Sequence, residues 1–326
     1  MWKKYSSIEN TYNQKYIERF KPLLATTDFY VTEKIHGANI SFHFDVKTRG
    51  YKVYSRNQEI EDLSLQKIDV VIKRDQIIDV LNRVIDNILN KDSQNYNSIS
   101  EITFFGEYCG GYYNGLEDGV IIQKTEYCSK NKILFFDIKI YDTQDNEYYI
   151  DFKDFLSYFS PFHEFTVPVL AQHLTFEEAL EYNNAYETNV PNLMGEQNLK
   201  EHQMICEGNV IRPAIELEKG LHRFIIKNKN SEHSDIKITT TQDQGEFKHS
   251  EIVNYLTPSR FESARSKLIL TNPNPSDQEI IQDVIKDIIE EYMKGHKIEK
   301  FEKDELKQIK KLLGRSIYPL LKDFIN

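Results

Sequence analysis

Two hydrophobic periods divide this chain of 326 residues. Ile40, Phe42, Phe44 and Val46 alternate with Ser41, His43 and Asp45, the period of two expected of a half-buried strand. Tyr51-Lys52-Val53-Tyr54-Ser55-Arg56 follows Gly50 as the hairpin partner, so residues 29–56 read as strands. Over residues 61–90 the period lengthens. Leu63, Ile68, Val71, Ile72, Ile78, Leu81, Ile85 and Ile88 recur at helical spacing and predict one or two packed helices. Strand patterns return at 102–108, 133–141, 204–212 and 223–227. Between them a helix is predicted over 175–186, opened by the capping pattern Thr175-Phe176-Glu177-Glu178. Strands broken up by helices without regular alternation predict an α+β fold of mostly antiparallel sheets.

The pattern changes again after Lys229. Residues 230–250 are polar, rich in Ser, Thr, Asp and Lys, and read as a linker or extended surface loop. Beyond them the chain reads as helical. Residues 252–256 and 261–270 form one helical region, closed by Asn272-Pro273-Asn274-Pro275. Ser276-Asp277-Gln278-Glu279 is a capping box for a helix reaching Tyr292, and a last helix covers about 303–325. The expected organisation is a domain over 1–235, a linker over 236–250 and a small all-α domain over 251–326.

Composition narrows the class. With 40% hydrophobic, 12% aromatic and 28% charged residues, the chain has the make-up of a folded protein rather than a disordered one. No apolar run approaches the roughly 18 residues of a membrane span, and the first residues carry no apolar signal core. Cys109, Cys128 and Cys206 are scattered, which fits neither a disulfide framework nor a zinc site. These features predict a cytoplasmic protein. A net charge of −10 weighs mildly against a nucleic-acid partner. Screening over about 10 Å nevertheless lets a local basic groove act within a negative whole.

Candidate chemistry centres on Glu33-Lys34-Ile35-His36-Gly37-Ala38-Asn39, where a lysine at a strand end precedes a glycine. A nucleophilic lysine must be neutral to attack, which neighbouring cations favour, and cations must also face the phosphate oxygens. Lys227 and Lys229, two apart in a strand, share one face. Glu107 ends a strand before Tyr108-Cys109-Gly110-Gly111, and Glu207 sits mid-strand beside Gly208, where burying a carboxylate needs a partner. Phe136 lies in Leu134-Phe135-Phe136-Asp137-Ile138, and Arg56 ends the hairpin. Each also has an ordinary structural reading: a solvated strand face for the lysines, core for Phe136, a hydrogen-bonded histidine for His36. Their order along the chain is what favours chemistry.

That order resembles the nucleotidyltransferase motifs of polynucleotide ligases, in particular the RNA ligase 2 family of bacteriophages, which includes the kinetoplastid RNA-editing ligases. Lys3-Lys4-Tyr5-Ser6-Ser7-Ile8-Glu9-Asn10 is similar to the family's start, and Glu33-Lys34-Ile35-His36-Gly37 to its nucleophile motif, with Lys34 the adenylylated residue. Asn39, Arg56, Glu107 and Phe136 match ligand-binding positions, Glu107 toward the ribose and Phe136 stacked on adenine. Glu207-Gly208-Asn209-Val210-Ile211-Arg212-Pro213 and Ile226-Lys227-Asn228-Lys229-Asn230 resemble the last two motifs. Arg212 departs from the phage enzyme, which carries Lys; the charge is kept but the geometry is not. His36 separates the chain from DNA ligases and capping enzymes.

The resemblance implies an ATP-dependent RNA ligase, a monomer, working through lysyl-AMP. Lys34, His36, Lys227 and Lys229 would be catalytic. Glu33, Ile35, Asn39, Arg56, Glu107, Phe136, Glu207, Val210 and Arg212 would hold the nucleotide. Glu207 would bind Mg²⁺ or Mn²⁺ beside ATP. The substrate would be duplex or structured RNA with 5′-phosphate and 3′-OH ends. Lys303, Lys307, Lys310 and Lys311 would either contact RNA phosphates or form a solvated helix face beside Glu302, Asp304 and Glu305. The rival readings are a DNA ligase, a capping-type nucleotidyltransferase, or a non-catalytic RNA-binding protein on the same fold.

Overall fold

The computed structural model describes residues 2–60, 74–91, 98–123, 125–144, 146–219, 222–230, 249–272, 274–296 and 298–324. The helical spacing expected over 61–73 and most of the expected linker lie outside these residues. The chain divides into two compact units, Met1–Glu232 and His233–Asn326.

Among the described residues the first unit is α+β, with two five-stranded sheets. In the first sheet Phe29–Glu33 (β2) runs between Gly208–Pro213 (β9) and Val169–Leu174 (β8). Beyond β9 lie Ile226–Lys229 (β12) and the short Glu9–Asn10 (β1). All these pairings are antiparallel except β1 on β12. One face buries Phe29, Val31, Ile211 and Ile226 against the helix Gln14–Leu24 (α1), whose Tyr16, Ile17, Phe20 and Leu24 form the matching stripe. The sequence reading assigned no element to these residues. Asn13 opens the helix by accepting from the Tyr16 N–H, and Pro22 comes too late to stop it.

The second sheet runs Tyr51–Ser55 (β4), Ala38–Asp45 (β3), Ile99–Cys109 (β5), Lys132–Asp142 (β6), Glu147–Tyr149 (β7). Ile40, Phe42 and Phe44 are buried as their alternation requires, and β3 pairs with β4 in the expected hairpin. Phe135 of β6 stacks on Phe159 of the helix Phe152–Phe159 (α3), closing one face. The opposite face is crossed by the N-terminal segment: Trp2 stacks on Tyr54 at 4.2 Å, and Tyr5 packs on Phe105. Arg74–Lys91 (α2) supplies the described part of the expected long helical region.

Several element boundaries differ from the sequence reading. The helix after Thr175 has its capping box but ends at Glu181, because Asn183 turns its side chain onto the Ala185 backbone. The strand expected from 204 begins only at Gly208, so Glu207 precedes β9 rather than sitting within it. The strand expected at 223–227 is split between His222–Arg223 (β11), paired with Glu218–Lys219 (β10), and β12.

Among its described residues the second unit is helical: a 3₁₀ segment Ser250–Tyr255, then Pro258–Ile269 (α4), Asp277–His296 (α5) and Lys303–Phe324 (α6). The single region expected over 252–270 is broken at Thr257, with Pro258 opening a new helix. Ser276 and Glu279 form the expected reciprocal cap. Ile252, Phe261, Val284, Ile288, Leu313 and Ile317 lie in its buried core.

Candidate active site

Lys34 follows the last residue of β2, and its backbone N–H donates to the Gly208 carbonyl at 3.0 Å. The strand end is thereby tied to the start of β9, which places the lysine beside Glu207. Lys34 Nζ lies 2.6 Å from Glu207 Oε2, and His36 Nδ1 lies 3.2 Å from the same oxygen. Lys229 Nζ is 3.2 Å from Oε1. One carboxylate, only 3% exposed, therefore joins two lysines and a histidine. Burial alone would push its pKa up, but Lys34, then Lys229 and His36, outweigh that and hold it well below the usual carboxylate range.

Backbone geometry makes the meeting possible. Gly208 has φ +141°, and a Cβ there would run into the Asn228 carbonyl, so the chain after Glu207 can lie directly on β12. Register then sets Gly208 opposite Lys229 and Val210 opposite Lys227. Gly208, Val210, Lys227 and Lys229 thus share one face of the sheet, as the two-residue spacing of the lysines predicted. Neighbouring cations were expected to favour the neutral form of Lys34, with Glu207 on a metal ion. The structure sets a carboxylate between Lys34 and Lys229 instead.

Ile35 is buried with Cys109, Tyr127, Leu134 and Val190, and the half-buried Phe136 packs against this group. Tyr127 was not foreseen; its phenol oxygen accepts the His36 N–H at 3.1 Å. Asn39 of β3 and Glu107 of β5 are cross-strand partners on one face. Gly37 lets these strands approach, since a Cβ there would strike the Tyr108 carbonyl.

Three expected ligand residues are tied elsewhere. Arg56 donates to Ser7 Oγ at 3.1 Å. Glu33 points away from Lys34, as alternation demands, and accepts from the Thr188 hydroxyl at 2.6 Å. Its other oxygen has no hydrogen-bond partner, and burial pushes its pKa up to about 7 against the weaker opposing pull of that hydroxyl. Arg212 is almost wholly buried. It donates to the Phe136 carbonyl at 2.6 Å and to Asp137 Oδ1 at 3.3 Å, and its guanidinium lies 4.0 Å over the Phe152 ring. The charge of Asp137 inside an apolar strand was the signal for this second cluster, and the sequence reading passed over it.

With this geometry in view, comparison with known proteins places the chain in a class. The family model described as RNA ligase matches residues 27–229, more than half of the sequence, and the chain belongs to the RNA ligase family. Residues 239–318 match the model described as T4 RNA ligase 2 C-terminal, so the helical unit is matched as well. Solved structures with a similar fold include a Naegleria gruberi RNA ligase mutant with ATP and Mn, at 18% identity and TM-score 0.44, covering 70% of this chain and 56% of that one. Another mutant of that ligase, with AMP and Mn, gives 18% identity and TM-score 0.45, covering 71% and 57%. This chain spans little more than half the length of those proteins.

Proposed function

We propose that the chain is an ATP-dependent RNA ligase that joins 3′-OH and 5′-phosphate ends through a lysyl-AMP intermediate. The observation that carries this reading is the convergence of Lys34, His36 and Lys229 on the Glu207 carboxylate. In the first step Lys34 Nζ attacks the α-phosphorus of ATP, a P–N bond forms and pyrophosphate leaves. The amine must shed a proton. Glu207, its own pKa held low by these cations, orients the amine, and His36 on the same carboxylate oxygen offers a neighbouring base for that proton. Lys229, with Lys227 on the same strand face, offsets the charge that builds on the phosphate oxygens.

The adenylyl group then passes to the 5′-phosphate of RNA, giving a 5′–5′ pyrophosphate end, and Lys34 is freed. A 3′-OH attacks that end, AMP leaves, and the strand is sealed. Ile35 and Phe136 offer an apolar surface for the adenine; Asn39 and Glu107 offer polar groups for the sugar. Among the described residues there is no group of three or more His, Cys, Asp or Glu that could hold a metal ion by itself. A lone carboxylate suits an ion of the magnesium type, which keeps waters and leans on substrate phosphates. Glu207 would hold Mg²⁺ or Mn²⁺, and the ion would supply charge stabilisation at the reacting phosphate.

Duplex or structured RNA is the proposed substrate, read by shape and phosphates. No helix among the described residues is long and apolar enough to cross a membrane. The three cysteines are free and buried, which fits the reducing cytoplasm. Incubation with ATP and Mg²⁺ tests the reading: wild-type protein gains the mass of one AMP, and Lys34→Ala gains none while keeping its far-UV spectrum. Labelling of Lys34→Ala would refute it. Labelling from GTP, or sealing of nicked DNA but not nicked RNA, would favour a capping-type enzyme or a DNA ligase respectively.

A further inference from the structure

The β5–β6 ladder is irregular at one point. Phe105 pairs with Asp137 and Gly106 with Phe135, so Phe136 is an extra residue, a bulge in β6. A bulge takes its residue out of the ladder and re-aims its side chain. The freed Phe136 carbonyl is met from the other sheet. It accepts from Arg212 Nη1 at 2.6 Å, and Arg212 belongs to β9 of the other sheet. The same guanidinium donates to Asp137 Oδ1 at 3.3 Å, the next residue of the bulged strand. Asp137 is gripped from its other side by Arg223 Nη1 at 2.6 Å and by the Tyr5 hydroxyl at 2.8 Å. The Tyr5 ring then meets the Phe136 ring edge-on, 5.1 Å between centroids. Phe136 is thus fixed at its carbonyl by Arg212 and at its ring by Tyr5, both anchored on one buried carboxylate.

We infer that Arg212 is a positioning residue that sets the Phe136 ring for the adenine of ATP by clamping the bulge, and does not touch the nucleotide phosphates. The inference rests on the proposed ATP site. It gives Arg212 a different task from the phosphate contact its charge suggests, since both guanidinium amino groups are already committed within the protein. A lysine here would have to serve both acceptors from a single nitrogen, without the planar fork that spans the carbonyl and Asp137.

The test is a double-mutant cycle on the full chain, following the rate of self-adenylylation as ATP is varied. Phe136→Ala and Arg212→Gln should each raise the half-saturating ATP concentration by about tenfold, the scale of one lost stacked base, with the limiting rate nearly unchanged. The double variant should be no worse than Phe136→Ala, and Arg212→Lys should recover part of the loss. Two independent losses multiplying to about a hundredfold would overturn the inference. So would a fall in limiting rate at unchanged half-saturation, the signature of a phosphate contact. If Arg212→Gln does not fold, Arg212→Lys carries the same cycle. A wild-type chain that takes up no AMP sinks the ATP site itself; normal wild-type labelling with additive losses sinks only the clamp.

Discussion

Two carboxylates in the first unit are each held by several cations, and they make opposite use of them. Glu207 is held by Lys34, Lys229 and His36, whose side chains keep 19%, 16% and 13% of their surface. Asp137 is held by Arg212 and Arg223, which keep 2% and 7%. Lysine and histidine can lose a proton at accessible pH, whereas a guanidinium stays charged and offers a rigid fork. The first cluster can therefore exchange protons and partners. The second can only hold. Glu216 completes the second, accepting from Arg223 at 2.6 Å, so two anions balance two cations in a largely buried cluster. The first stays partly open, and water can take over if one member is lost.

That difference is breakable. Glu207→Gln should lower self-adenylylation by roughly 10²- to 10³-fold, the scale of one lost electrostatic partner in a transition state. Its denaturation midpoint should move little, because water reaches the freed lysines. A protein that unfolds on this substitution would place Glu207 with the holding clusters. Asp137→Asn should do the reverse, costing about 3–5 kcal/mol of stability in urea titration by leaving two buried guanidiniums short of an anion. Activity lost without that destabilisation would contradict the assignment of Asp137 as a structural anchor.

A smaller and slower-varying effect belongs to Glu33, which has neither kind of support. Its pKa of about 7 in the fold stands above its ordinary 4.5, so the folded state binds the extra proton between those values. Its contribution is fully present below pH 4.5 and is lost as pH rises toward 7, amounting to at most about 3 kcal/mol. Glu33→Gln should flatten this decline when urea midpoints at pH 5 and pH 8 are compared. Equal slopes in the two proteins would show that Glu33 is ionised throughout.

The open cluster was legible in the sequence and the sealed one was not, for a physical reason. Strand alternation puts Lys227 and Lys229 on one face from their spacing alone, and the Glu207-Gly208 pair marks a carboxylate needing a partner. For Arg212 the sequence reading gave a charge at a nucleotide-binding position and no strand face. What it meets there depends on Asp137, 75 residues earlier and in the other sheet, and on a bulge that no local pattern announces. Mid-strand placement of Glu207 failed because a glycine at positive φ looks, in sequence, like any small residue. The pairing of β10 with β11 likewise went unread, because Glu218, Lys219 and His222 carry no strand-forming pattern and only Arg223 fell in an expected strand.

The lysine at position 34 and the carboxylate that holds it stand 173 residues apart, and β2 lies between β8 and β9 in its sheet. A chain emerging from the ribosome therefore carries Lys34 long before Glu207 and Lys229 exist to meet it. The contacts of Glu207 with Lys34 and Lys229 can close only once the last strand of the sheet is made, a pairing of distant segments that comes late in synthesis.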